Sequence, residues 1–238
     1  MAVIETTFDV YSDTPKGKDP DSYSPTLRKY HQILWSKPLP NGMEFKLEDT
    51  VPKLLIHKSE SGEFVLSSDS IGHTYSNTKS MSHIVEKVAP EDIKEFFKVC
   101  STIGAYIMFP AKKVNNKMTI NGSRGLNRKI KDRFDLTLEC IRRFYINEES
   151  PLSETFMRYA SFFGLFQNFR GYVDFFLLQD LVKENYSIKF FLSFKGFDHN
   201  PLPKDVEEYK SYMRHLKEFV IARNEKMSKE DYLQTKHI

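Results

Sequence analysis

Between Ala111 and Arg143 the chain places ten basic residues against three acids, while the remainder carries 25 bases and 29 acids. A positive charge gathered this tightly is the pattern of a segment that meets an anion, whatever the modest overall charge of +3. Its centre is the stretch TINGSRGLNRKIKDR, residues 119–133, where a strand end runs into a glycine-bearing loop and then a helix. Unpaired backbone N–H groups at such a junction carry partial positive charge, and Arg124, Arg128 and Lys129 add side chains that reach phosphate or carboxylate. The spacing is neither that of a P-loop nor G-x-G-x-x-G, so the glycines alone could equally form an ordinary strand-to-helix turn. Arg124 decides between these readings. Asn121, Gly122 and Gly125 already supply the chain reversal, so its guanidinium is expected to pair with Asp132, Asp174 or Asp180 in a cleft, or to face an anion.

The helix expected over about 127–146 carries Phe134, Leu138, Ile141 and Tyr145 on one stripe, with Asp132, Asp135, Glu139, Arg142 and Arg143 on another. Leu136 and Cys140 flank the charged stripe from the far side. The stripe therefore lies in a cleft, or it is a solvated face with Glu139 and Arg143 paired at i,i+4. A second buried-polar signal is GYVDFFLLQDLV, 171–182, whose apolar run brings Asp174, Gln179 and Asp180 into or beside packing. Two sets of candidates result. Arg124, Arg128, Lys129, Arg133, Arg142 and Arg143 would hold a ligand. Glu139, Asp174 or Asp180 would act as general base, if the site is catalytic. The seven histidines show no HxH, HxxH or HExxH spacing, and no G-x-S-x-G occurs, so neither a metal nor a cofactor is expected.

The elements that must position these residues read as α+β in a single domain, 1–238. An irregular arm (1–24) precedes a helix opened by Ser24-Pro25 and running to Trp35. Strands follow at 43–48, 53–58 and 63–68, the last two joined by a Ser59–Gly62 hairpin. A helix over 90–100, a strand at 104–110 and a return strand at 117–120 lead to helices at about 127–146, 151–166 and 170–183. One late strand (187–194), a helix from Asp205 to about Asn224 and a frayed tail (225–238) complete the chain. Strands cluster before residue 121 and helices after it, so an antiparallel or mixed sheet would be covered by aromatic-rich helices. The aromatic share is 14%, with 20 phenylalanines, which requires a thick aromatic core.

Two cysteines give no disulfide framework, and acids near the N-terminus exclude a signal-peptide run there, so a cytoplasmic protein is expected. The most apolar region, 156–182, is interrupted by five polar residues, which excludes a membrane span. Phe162, Phe163, Phe166 and Phe169 raise a homo-oligomer or protein-binding surface as a further option.

YSPTLRKYHQILWSKPLP (23–40), TINGSRG (119–125), DRFDLTLECIRRFY (132–145) and GYVDFFLLQDLV (171–182) together resemble a family of uncharacterised bacterial and phage proteins, a domain of unknown function. The resemblance spans nearly the whole chain and implies a cytosolic single-domain protein, but no activity. The charge pattern is what favours a function: binding of a phosphate-bearing ligand, nucleic acid or nucleotide, on residues 111–143. The alternative is an enzyme working on an anionic, nucleotide-like substrate between the 127–146 and 170–183 helices.

Overall fold

Ser24 opens the first long helix as its neighbours dictate: its hydroxyl accepts from Leu27 N at 3.0 Å, with Pro25 in the first turn. A computed structural model describes residues 4–51 and 54–236, so the ends of the expected arm and tail and the first residue of the expected 53–58 strand lie outside the described residues. The elements in chain order are α1 (Pro20–Tyr23), α2 (Pro25–Trp35), β1 (Lys37–Pro38), β2 (Glu44–Phe45), β3 (Glu48–Val51), β4 (Leu54–Ser59) and β5 (Gly62–Ser70). Then come α3 (Ser82–Val85), α4 (Pro90–Cys100), β6 (Tyr106–Pro110), α5 (Ile120–Leu126), α6 (Phe134–Tyr145), α7 (Ser153–Arg158), α8 (Ala160–Gly164), α9 (Phe169–Phe175) and α10 (Val206–Lys236).

The fold is α+β, with a four-stranded antiparallel sheet in the order β3-β4-β5-β6 and a two-stranded ribbon of β1 and β2. The hairpin falls where expected, Ser59 opposite Gly62. β5 is central, and its inward positions Phe64, Leu66 and Ser68 alternate with residues of the other face. One apolar core joins sheet and helices; Phe166 lies within ring contact of Phe45, Tyr172, Phe175 and Phe176, and Trp35 meets Phe175 and Phe176. Phe162, Phe163, Phe166 and Phe169 are all buried in this core, so they offer no free aromatic surface. No helix among the described residues is long and apolar enough to cross a membrane.

Several boundaries differ from the pattern in the sequence. The expected return strand at 117–120 is the entry to a helix: Thr119 is the N-cap of α5, which absorbs Asn121, Gly122 and Gly125. Lys131 and Asp132 are both left-handed (φ 48° and 63°), so the next helix cannot begin before Phe134. The helix expected over 151–166 breaks at Tyr159 into α7 and α8, and left-handed Leu177 (φ 55°) cuts the one expected over 170–183 back to α9. Among the described residues, 187–194 pair through a single bridge, Val182 to Ile188. An α-helix already occupies 20–23 in the arm, and α10 extends to Lys236.

Candidate functional site

α5 turns residues four apart onto one face, and its inward pair is Ile120 and Arg124, both fully buried. A buried guanidinium must have its donors satisfied, and here they are met from three directions. Arg124 Nη1 meets the Asp69 carboxylate and donates to Ser70 O at 3.2 Å. Nη2 donates to Asp132 O at 3.2 Å and lies 3.3 Å from Asp132 Oδ1, while Nε reaches Thr137 Oγ1 at 3.3 Å. In return Asp132 N donates to Arg124 O at 3.2 Å, and Tyr75 Oη donates to Lys131 O at 3.0 Å. One arginine thus ties the end of β5 to the left-handed turn ahead of α6. The expected pairing with Asp132 is present; the second partner is Asp69, not Asp174 or Asp180.

The far sides of these carboxylates face a cleft of about 770 Å³, within the ordinary size of a small-molecule site. Asp69, Asp132 and His73 line it with side chains 18%, 26% and 30% exposed. His73 Nε2 stands 2.9 Å from Asp132 Oδ2. Asp21, from α1, joins them. Burial pushes the Asp69 carboxyl up, aided by the charge of Asp132, and together these outweigh Arg124. Burial acts on Asp132 too, but Arg124 and His73 prevail there and hold its carboxyl below the usual range. Asp21 is raised well above that range by burial and then by Asp69 and Asp19. Asp69 and Asp132, joined by one arginine, are therefore driven in opposite directions.

A chain of donors runs from the core to Asp21. Trp35 Nε1 donates to His31 Nδ1 at 2.9 Å, which leaves the proton of a neutral imidazole on Nε2, 2.9 Å from Ser68 Oγ. Burial, and then the charge of Arg223, push His31 down to about 3, so it stays neutral. Ser68 in turn acts on the Asp21 carboxyl and lowers its proton affinity, against the larger effect of burial.

The other residues singled out in the sequence are dispersed. Arg133 is buried against Asp135 (Nε to Oδ1, 3.1 Å) and donates to Pro201 O at 2.7 Å. Arg142 and Arg143 both close on the buried Glu139, with N–O distances of 2.8–2.9 Å. Burial raises Glu139, but these two hydrogen-bonding arginines outweigh it and hold the carboxyl low. The charged stripe is therefore divided: Asp132 lines the cleft, Asp135 and Glu139 are buried with every residue from Phe134 to Ile141, and Arg142 and Arg143 are half-buried. Lys129 pairs with Asp198 at 2.9 Å on the surface, and Arg128 is exposed. Asp174 is exposed, 3.6 Å from Arg170 Nε, beside a separate cavity of about 440 Å³. Asp180 is bound by Lys226. Glu139, Asp174 and Asp180 thus occupy three separate places, because α9 ends at Phe175 and presents its polar residues outward.

Asp21, Asp69 and His73 were not singled out by sequence reasoning. One signal was available: strand alternation places Ser68 inward, in line with Phe64 and Leu66, at the head of the polar run Ser67–Ser70. Among the described residues no group of three or more His, Cys, Asp or Glu side chains is arranged to hold a metal ion.

Fold and cleft together define a single-domain α+β protein with an arginine-braced acidic cleft. The chain belongs to a family of unknown function, DUF6994, whose model matches residues 4–227. No curated protein and no solved structure matches it.

Proposed function

We propose that the cleft is an acid–base catalytic site acting on a small, uncharged or cationic molecule. One observation carries this: Arg124 braces two carboxyls, Asp69 and Asp132, whose proton affinities the surroundings drive apart in the same cleft. Such a split assigns roles. Asp69, the carboxyl whose proton affinity is raised, serves as general acid. Ionised Asp132 orients and supports His73, which takes the proton of an attacking water. Water adds to the electrophilic atom as Asp69 protonates the leaving group; His73 and Asp69 then restore their protonation through solvent. The excess of carboxylates disfavours a phosphate in this position.

The test is a hydrolase screen of esters, amides and glycosides with the wild type, D69N and H73N. The expected result is turnover that falls by about 10²-fold or more in each variant, with melting temperatures near the wild-type value. Turnover unchanged in both variants sinks the assignment.

A second reading keeps the phosphate-bearing ligand, nucleic acid or nucleotide, on the same segment's surface. Lys112, Lys113, Lys117 and Arg128 are exposed there, which favours it. Oligonucleotide binding that weakens steeply between 50 and 200 mM salt is the expected result; no binding at the lower salt removes it. Both cysteines are buried and unpaired, which supports a reducing, cytoplasmic setting.

A further inference from the structure

We infer that the cleft takes an organic cation, its ammonium or guanidinium group seated against Asp21 beneath the rings of Tyr11 and Phe97. The inference rests on the reading of this cleft as the working site and names what enters it.

Asp21 Oδ1 is buried and has no hydrogen-bond partner among the described residues. A buried carboxylate oxygen left without a donor is costly, and a ligand donor is what would satisfy it. The chain of bonds from Trp35 through His31 ends at Ser68, behind the Asp21 carboxyl.

The groups facing Asp21 select the charge of that donor. Asp19 lies on its own element, Asp69 on β5, and Asp132 further along the cleft wall. Against them stand Lys18 from the arm, His73 from the segment after β5 and Lys94 from α4. Lys18 Nζ sits 5.5 Å from the centre of the Tyr23 ring, and Lys94 is exposed. Arg124 below is already matched by two carboxylates. An anionic ligand would raise the proton affinity of these carboxyls further, whereas a cation favours their ionised forms and is attracted by them.

The rings add a second, independent preference. Tyr11 and Phe97 stack obliquely at the cleft mouth, centroids 5.1 Å apart, and both are unusually open for large rings, 41% and 43% exposed. Tyr106 backs them from β6; burial raises its phenol first, then the negative charge of Asp21. Aromatic faces beside carboxylates are the recognised surroundings of organic cations.

Binding has a proton signature. The Asp21 carboxyl retains a proton well above the usual range in the empty cleft, and a seated cation favours its ionised form. Cation binding should therefore release a proton and tighten as pH rises.

The experiment is calorimetric titration of the full chain with agmatine, spermidine and choline, with glucose and AMP as uncharged and anionic controls. Titrations are repeated at pH 5.5 and 7.5 and in two buffers of different ionisation enthalpy. Expected are binding of at least one cation, proton release, tighter binding at pH 7.5, and at least a tenfold loss in D21N and in F97A, whose ring lies clear of the relay. Glucose or AMP binding while all three cations fail overturns the inference, as does cation binding unchanged in both variants. The catalytic reading fails separately. Cation binding with D69N turnover equal to wild type leaves the ligand class standing and removes the mechanism; turnover on a neutral substrate without cation binding does the reverse.

Discussion

Arg124 and Arg133 differ in what stands behind their partners. Both are buried, both lie within the same short segment, and both bind an aspartate. Asp135, the partner of Arg133, is itself fully buried; its second duty is to accept Phe191 N at 2.9 Å. That pair is closed on all sides and serves to pin the chain after α9 to the start of α6. The partners of Arg124, by contrast, are each partly exposed to a cleft and have a histidine and another carboxyl beside them. A buried arginine by itself therefore says only that charge has been matched. It marks a working site when the matching carboxylates keep one side open.

The comparison can be broken first with the arginines themselves. Arg124→Ala leaves Asp69 and Asp132 facing each other without a cation and should cost about 3–5 kcal/mol, and Arg133→Ala should cost about as much. Urea denaturation measures both. A loss below about 1 kcal/mol for Arg124→Ala would mean that the cleft carboxylates are solvated well enough to need no brace.

The partner substitutions separate the two sites more sharply. Asp135→Asn strands the Arg133 charge in the core and should cost about 3 kcal/mol or more. Asp69→Asn removes a carboxyl that burial already disfavours in its charged form, while Asp132 remains to match Arg124. Its expected cost at pH 7 is below about 1 kcal/mol. Equal losses in the two variants would erase the distinction between a sealed pair and an open one.

The pH dependence sharpens the same contrast, because the relay behind Asp21 and the carboxyls in the cleft pull in opposite directions. His31, depressed to about 3, binds no proton in the fold at pH 5, whereas the unfolded chain does. Its contribution to stability is full above pH 6.5 and is lost as pH falls towards 3, at about 1.4 kcal/mol per unit once well below 6.5. Asp21 and Asp69 are raised, so the fold holds protons that the unfolded chain has released; their contribution grows as pH falls towards 4. His31→Gln should therefore show a pH–stability slope between 5.5 and 4 that differs from the wild type by that amount, with the variant less acid-sensitive. Parallel curves would mean that His31 becomes protonated inside the fold.

What could be read from the sequence was what its own neighbours determine. Ser24-Pro25 capped α2 and Ser59–Gly62 closed a hairpin because those structures are decided within four residues. The pairing of Arg124 with Asp132 was within reach for the same reason, eight positions away. Asp69 lies 55 positions away, and only the packing of α5 on the end of β5 brings it in. Asp21 sits in a stretch whose turn-forming composition hid a one-turn helix. The charge density of 111–143 was real, but five of its six candidate ligand residues, Arg124, Lys129, Arg133, Arg142 and Arg143, are engaged by carboxylates of this chain. Net charge along a segment cannot tell a surface from a set of internal pairs. The run 187–194 misled through its apolar content, which serves to cover the core with only one bridge to another segment.

The smallest effect is expected at Gly122, where the contrast between turn and brace can be tested directly. If its role were to reverse the chain, it would need a left-handed backbone, and an added methyl group would be strained there. Gly122 instead lies within α5, with no positive φ, and an added Cβ would come no closer than 3.7 Å to Met118, an ordinary contact. In a helix interior alanine is favoured over glycine by about 1 kcal/mol, partly because glycine has more freedom to lose on folding. Gly122→Ala should therefore raise stability by roughly 0.5–1 kcal/mol while leaving the Arg124 contacts intact. Thermal melts alongside Arg124→Ala would set the two residues of one short stretch at opposite ends of the scale. A destabilised Gly122→Ala would return this stretch to the role of a turn, and the helix that carries Arg124 inward would lose its support.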